Sequence, residues 1–188
     1  MIYTPFSPRH KTPYGAVPSG TAVTFTLRPA RSEGFSSGLL LARLEQDGDR
    51  LLVVNSLLCG EYEVGDIVIA RKESFDAQPI VKRVIATEGQ TVDIDFNLGR
   101  VYVDGVMLEE DYINDLTYRE EGTLFPLTVP EGEVFLLGDN RNHSNDSRDS
   151  SLGTVDTRLL IGKAVFLVFP GRDYLTEQRE FGRIGLLK

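Results

Sequence analysis

The chain has 188 residues, 41% of them hydrophobic and 26% charged, with a net charge of −8. This suits one globular domain, or a small one with an appendage, and the acidity argues against nucleic acid as main partner, since phosphate binding needs a basic face. Cys59 is the only cysteine, and His10 and His143 are the only histidines, which excludes an internal disulfide and argues against a cysteine or histidine metal site.

Taken in chain order, the sequence opens with MIYTPFSPRHKTPYGAVPSG, which is punctuated by proline and glycine and has no apolar secretory core. No later stretch approaches the roughly 20 apolar residues of a membrane span, so the chain reads as soluble and unanchored. In TAVTFTLR, Val23, Phe25 and Leu27 alternate with threonines, which predicts a strand with one buried face. LLLARLEQ suits a strand or a short helix, Asp47-Gly48 signals a turn, and RLLVV reads as a strand. Short strands then follow closely: DIVIAR, PIVKRVIA, TVDIDF and RVYVDG. After a polar excursion from DYIND, the chain returns to strand in LFPLTVPEGEVFLLGDN and ends its core with DTRLLIGKAVFLVFP, where Thr157 to Ile161 suits a turn of helix. Many short strands and little helical periodicity predict a mainly β domain. Residues 173–188 read as a charged, peripheral tail.

Within IVKRVIA, Lys82 shares a strand face with Ile80 and Val84. A buried ammonium must be paired or give up its proton, so Lys82 either reaches solvent or serves as a neutral amine. A second unusual stretch is LLGDNRNHSNDSRDSSLGTV. Its short polar side chains can bond to their own backbone and build a stiff turn. Asp146 could clamp that turn by pairing with Arg148 or Arg141. Read alone, the stretch is a polar surface loop capped by Asx turns. The two stretches suggest one chemistry together. A serine hydroxyl needs a base to become a nucleophile, and a lysine can be that base when burial lowers its pKa. Lys82 on a rigid strand and Ser144 in a stiff loop have the required properties if the fold joins them.

From Asp49 to Pro170 the sequence resembles the bacterial type I signal peptidases, the Ser/Lys peptidases of the S26 group. The resemblance is carried by DRLLVVNSLL, GDIVIA, IVKRVIATEGQTVDI, GRVYVDGVMLEEDYI and VFLLGDNRNHSNDSRDSSLGTV, in that order. It implies an antiparallel β fold, no metal or organic cofactor, extended signal peptides of secreted preproteins as substrates, and a membrane surface as partner. The family is membrane-anchored with an extracytoplasmic catalytic domain. The resemblance makes Lys82 the general base and Ser144 the hydroxyl that orients it. Arg83, Asp139, Asn140, Arg141, Asp146, Ser147 and Arg148 are then structural at the site.

The family's nucleophile box, Ser-Met-x-Pro-Thr-Leu, has no counterpart before Gly48-Asp49-Arg50. An ungapped alignment puts Leu40 in the serine's place, and Ser37, beside Ser36, is the candidate replacement. Residues 1–48 therefore read as an atypical β-rich head, with a weak resemblance to the N-terminal segment of α-amylase-family glycosidases. Without the family's first strands a sheet edge would stand open, so TAVTFTLR or LLLARL is expected to pair with it. A sugar-binding role for the head is disfavoured by its lack of Trp and paucity of other aromatics. The expectation is a signal peptidase-like domain, 49–172, with catalysis lost or impaired. The alternative is a non-catalytic homologue that binds extended peptides by strand addition. A self-cleaving repressor-type peptidase fits less well, because no DNA-binding head is present.

Overall fold

The computed structural model describes residues 49–76, 78–172 and 178–187 in full, and upstream of these the backbone of three strands, β1 (Lys11–Thr12), β2 (Thr24–Phe25) and β3 (Leu39–Arg43). The chain divides into two compact units, 1–39 and 40–188, a boundary upstream of the one read at Asp49. In the first unit β1 and β2 form an antiparallel ribbon, so only Thr24–Phe25 of TAVTFTLR is strand among the described residues. Asp47-Gly48 lies outside them.

The second unit is mainly antiparallel β, as its short apolar runs predict. Its strands are β4 (Arg50–Asn55), β5 (Ile67–Ala70), β6 (Ile80–Thr87), β7 (Thr91–Asp95), β8 (Arg100–Val103), β9 (Val106–Met107), β10 (Leu127–Thr128), β11 (Glu133–Leu137), β12 (Val155–Asp156), β13 (Leu160–Phe169) and β14 (Gly185–Leu186). The large sheet runs β12-β11-β6-β5-β13-β4-β3, with β14 also paired to β13; the small sheet runs β10-β7-β8-β9. LLLAR is thus strand rather than helix, and it occupies the edge beside β4 where a partner was expected. The helical turn expected near Thr157 is a single 3-10 turn, Thr157–Leu159, capped by the Asp156 carboxylate. The described part of the tail, 178–187, is largely exposed but not detached: residues 185–186 pair with β13, and Arg183 bonds the Asp49 carboxylate at 3.1 Å.

Two strands, β5 and β11, read as apolar runs because both their faces are buried. On β11, Val134 and Leu136 enter one core cluster while Phe135 and Leu137 enter another. On β5, Val68 and Ala70 face the β11–β12 cluster, and Ile69 faces a third formed with β4 and β13. Each such side chain contributes roughly 1.5–3 kcal/mol by leaving water, so register along these strands is strongly specified. The β8–β9 turn has positive φ at both Asp104 and Gly105, the backbone that a two-residue hairpin requires. The Asp104 carboxylate also accepts the Thr91 N–H at 2.8 Å, tying that turn to β7.

Candidate functional site

The site begins at the register between β6 and β11. Arg83 opposes Leu137, so the next residues outward are Lys82 on β6 and Gly138 at the end of β11. On its other side Lys82 opposes Val68 of β5. Val68, Val84 and Ile80 belong to one cluster, and Lys82, half-buried, stands on their face, as the alternation of IVKRV predicts. A second lysine, Lys163, opposes Val68 from β13. Its ammonium is committed to Asp66 and to the Glu61 carbonyl, both at 2.7 Å.

The polar loop after β11 is not a surface loop. Arg141, Asp146, Ser147 and Arg148 are fully buried, and Ser144 nearly so. Ser147 pairs with β11, its hydroxyl accepting the Leu136 N–H and its own N–H reaching the Leu136 carbonyl, both at 2.9 Å. Asp146 accepts the Gly138 N–H at 2.9 Å and holds the Arg148 guanidinium through both oxygens, at 2.8 and 2.9 Å. Of the two clamps open to Asp146, the structure forms the one with Arg148. Arg141 instead pairs with Glu110, and bonds the Thr117 hydroxyl at 2.8 Å and the Gly138 carbonyl at 3.2 Å. Asn140 is exposed, and its carbonyl accepts the His143 N–H at 3.1 Å.

Arg83 points from β6 to the same loop. Its guanidinium grips the Asp139 carboxylate at 2.8 and 2.9 Å, donates to the Gly65 carbonyl, and lies 4.0 Å from the centre of the Tyr112 ring. Burial works against its charge, but the Asp139 pair outweighs burial and holds its pKa above the ordinary arginine value. Burial, reinforced by Glu110, pushes the Tyr112 hydroxyl up to about 12. Glu110 and Tyr112 lie within GRVYVDGVMLEEDYI and Thr117 just beyond it, but nothing in that stretch marks them as partners of a loop 20 or more residues further on.

These bonds bring Ser144 onto Gly138. A Cβ built on Gly138 would fall 2.1 Å from the Ser144 hydroxyl oxygen, so the hydroxyl occupies the space that a side chain there would fill. That oxygen is buried and has no hydrogen-bond partner among the described residues. A buried hydroxyl left unbonded costs about 1–3 kcal/mol, and this one rests on Gly138, the residue that follows the β6–β11 register across from Lys82. Ser36 and Ser37 lie outside the described residues. Leu40 lies on β3, at the sheet edge.

The sequence of the chain matches the family model described as signal peptidase, peptidase S26, over residues 20–169. The chain belongs to the signal peptidase family S26. The match starts upstream of Asp49, where the motifs become readable, and takes in β3. Among relatives of this S26 chain, a probable signal peptidase I-1 from Synechocystis sp. is 41% identical over 142 residues, covering 71% of this chain and 68% of the relative. Signal peptidase I of Bacillus licheniformis is 34% identical over 154 residues, covering 78% of each. A crystal structure of a signal peptidase I from Enterococcus faecalis aligns with 56% of this chain and 97% of its own, with a TM-score of 0.47 and 30% identity.

One acid beside the S26 loop sets a pH dependence. Glu121 has a buried side chain whose Oε2 has no hydrogen bond among the described residues and lies 4.0 Å from the Arg148 Nε; Arg119 lies 3.1 Å from its other oxygen. Burial pushes its carboxyl up, Arg148 opposes this, and Asp146 adds to it. A raised folded-state pKa favours the neutral form, so its contribution to stability is present below the unfolded-state value and is lost as pH rises through the folded one. Glu121→Gln is expected to melt above the parent protein at pH 7 and level with it below about pH 4. Equal melting temperatures at pH 7 would refute a raised carboxyl.

Proposed function

We propose that this chain is a signal peptidase I-like domain that keeps the lysine half of a Ser/Lys peptidase and a groove for extended preprotein segments, with hydrolysis lost or impaired. The observation that carries this reading is the buried, unbonded Ser144 hydroxyl, seated on Gly138 next to the Lys82 position. In the complete reaction Lys82 takes a serine proton as the oxygen adds to the scissile carbonyl. It returns the proton to the leaving amine, and water then releases the acyl group by the same route. Ser144 orients the amine, and the Asp146–Arg148 and Asp139–Arg83 pairs hold the loop that carries it. The nucleophile is what fails. Leu40 has no hydroxyl, Ser37 is the remaining candidate, and loss of a nucleophile leaves little beyond substrate positioning.

Peptide binding is supported by the family resemblance. The family to which the chain belongs acts on extended segments, which a sheet edge recognises by main-chain hydrogen bonds in the manner of an added strand. By the same family resemblance, substrates are presented at a membrane surface. The test incubates a fluorescent signal-peptide substrate with the parent protein, Lys82→Ala and Ser37→Ala. Binding without turnover is expected. Turnover abolished by both substitutions would instead make this an active peptidase with Ser37 as nucleophile, and absence of binding would remove the groove.

A further inference from the structure

We propose that Glu110 and Tyr112 form a strut that positions Gly138 and Asp139, and through them the Ser144 hydroxyl. The proposal rests on the reading of Ser144 and Lys82 given above, and it assigns a role to residues outside the family's polar loop.

Residues 109–118 follow the β8–β9 hairpin and form no strand. They are held to the loop mainly by side chains. The Glu110 carboxylate binds both terminal nitrogens of Arg141, and the Tyr112 hydroxyl donates to Glu110 at 3.0 Å. Arg141 reaches on to the Gly138 carbonyl. The Tyr112 ring lies against Arg83, which grips Asp139, while the Asn114 N–H donates to the Asp139 carbonyl at 3.3 Å. Farther along, the Asn142 amide bonds the Leu116 carbonyl at 3.0 Å and accepts the Tyr118 N–H at 3.2 Å. Gly138 and Asp139 are therefore held from one side by Asp146 and from the other by the strut.

The energetics favour a positioning role. The Glu110 side chain is 6% exposed and that of Arg141 not at all. The desolvation of such a pair offsets much of its attraction, so it adds little net stability compared with an apolar replacement. What it does supply is geometry, because a two-pronged guanidinium–carboxylate contact fixes direction as well as distance. The Ser144 hydroxyl needs that precision: it fits only in the space above a glycine, and a shift of a few tenths of an ångström in Gly138 would move it.

The test compares the parent protein with Glu110→Gln and Tyr112→Phe, which keeps the ring over Arg83 but loses the hydroxyl. Two readouts are used: amide hydrogen exchange over residues 138–144, and the pH midpoint of Lys82 acylation by acetic anhydride, followed by mass spectrometry. Glu110→Gln is expected to speed exchange across 138–144 at least tenfold and move the Lys82 midpoint toward that of an ordinary lysine, about 10.4. Tyr112→Phe is expected to do both to a smaller degree, and it carries the comparison if Glu110→Gln does not fold. Unchanged exchange overturns the strut. Faster exchange with an unmoved Lys82 midpoint overturns its positioning role. A midpoint near 10.4 in the parent protein removes the base reading instead, and the exchange result then decides the strut alone.

Discussion

Replacing Asp146 with alanine is expected to destabilise the protein by about 3–5 kcal/mol, because it strands a buried guanidinium. For a chain of this length that corresponds to a fall of roughly 9–15 °C in Tm. Asp146 and Arg148 are both fully buried, and the carboxylate holds the guanidinium through two oxygens while also accepting the Gly138 N–H. Without it, Arg148 keeps its bonds to the carbonyls of Arg119 and Arg141, which do not neutralise a cation, and the remaining acid, Glu121, lies 4.0 Å from its Nε, beyond hydrogen-bond reach, with burial opposing its charge. Asp146→Asn retains an acceptor without the charge and should lose less. Calorimetry of the three proteins measures the difference. An Asp146→Ala variant melting within about 3 °C of the parent would show that the loop does not depend on this pair.

Gly138→Ala is expected to cost about 3 kcal/mol, toward the upper end for overpacking, or roughly 9 °C in Tm. Its backbone lies outside the left-handed region, so space alone decides the cost. The new Cβ would lie 2.1 Å from the Ser144 oxygen and 2.5 Å from its Cβ, closer than atoms can approach, while Asp146 holds the Gly138 N–H in place. Ser144 must therefore leave. Removing the obstructing side chain as well should restore the fold: Gly138→Ala with Ser144→Gly is expected to regain most of the lost Tm. Ser144→Ala should not rescue, since its Cβ remains. Equal melting of the single Gly138→Ala and the Gly138→Ala/Ser144→Gly proteins would mean that something other than Ser144 sets the limit.

The strand framework was legible in the sequence because period-two alternation is a local property. IVKRVIAT forms β6, with Lys82 on the face of Ile80 and Val84, and EVFLL forms β11, buried on both sides. The loop GDNRNHSNDSR was recognisable from its composition and family motif. Its burial was not. A run of short polar residues reads as solvated until a fold supplies partners for every charge, and here β11, the strut and neighbouring carbonyls do so. LLLAR was ambiguous for a related reason: five apolar-rich residues suit strand or helix equally until an edge beside β4 settles the matter.

By itself, the sequence determined the family, the mainly β character and the lysine strand. These follow from neighbouring residues, whose pattern dictates backbone form and whose order marks descent. Only the tertiary structure decided which acid serves which arginine. Asp146 takes Arg148 at a separation of 2 residues, but Arg141 finds Glu110 across 31 and Arg83 finds Asp139 across 56. A buried charge takes the partner that three-dimensional packing brings within reach, and nothing in the local pattern specifies that partner. The same packing sets Ser144 on Gly138, where a side chain one carbon larger would have displaced it.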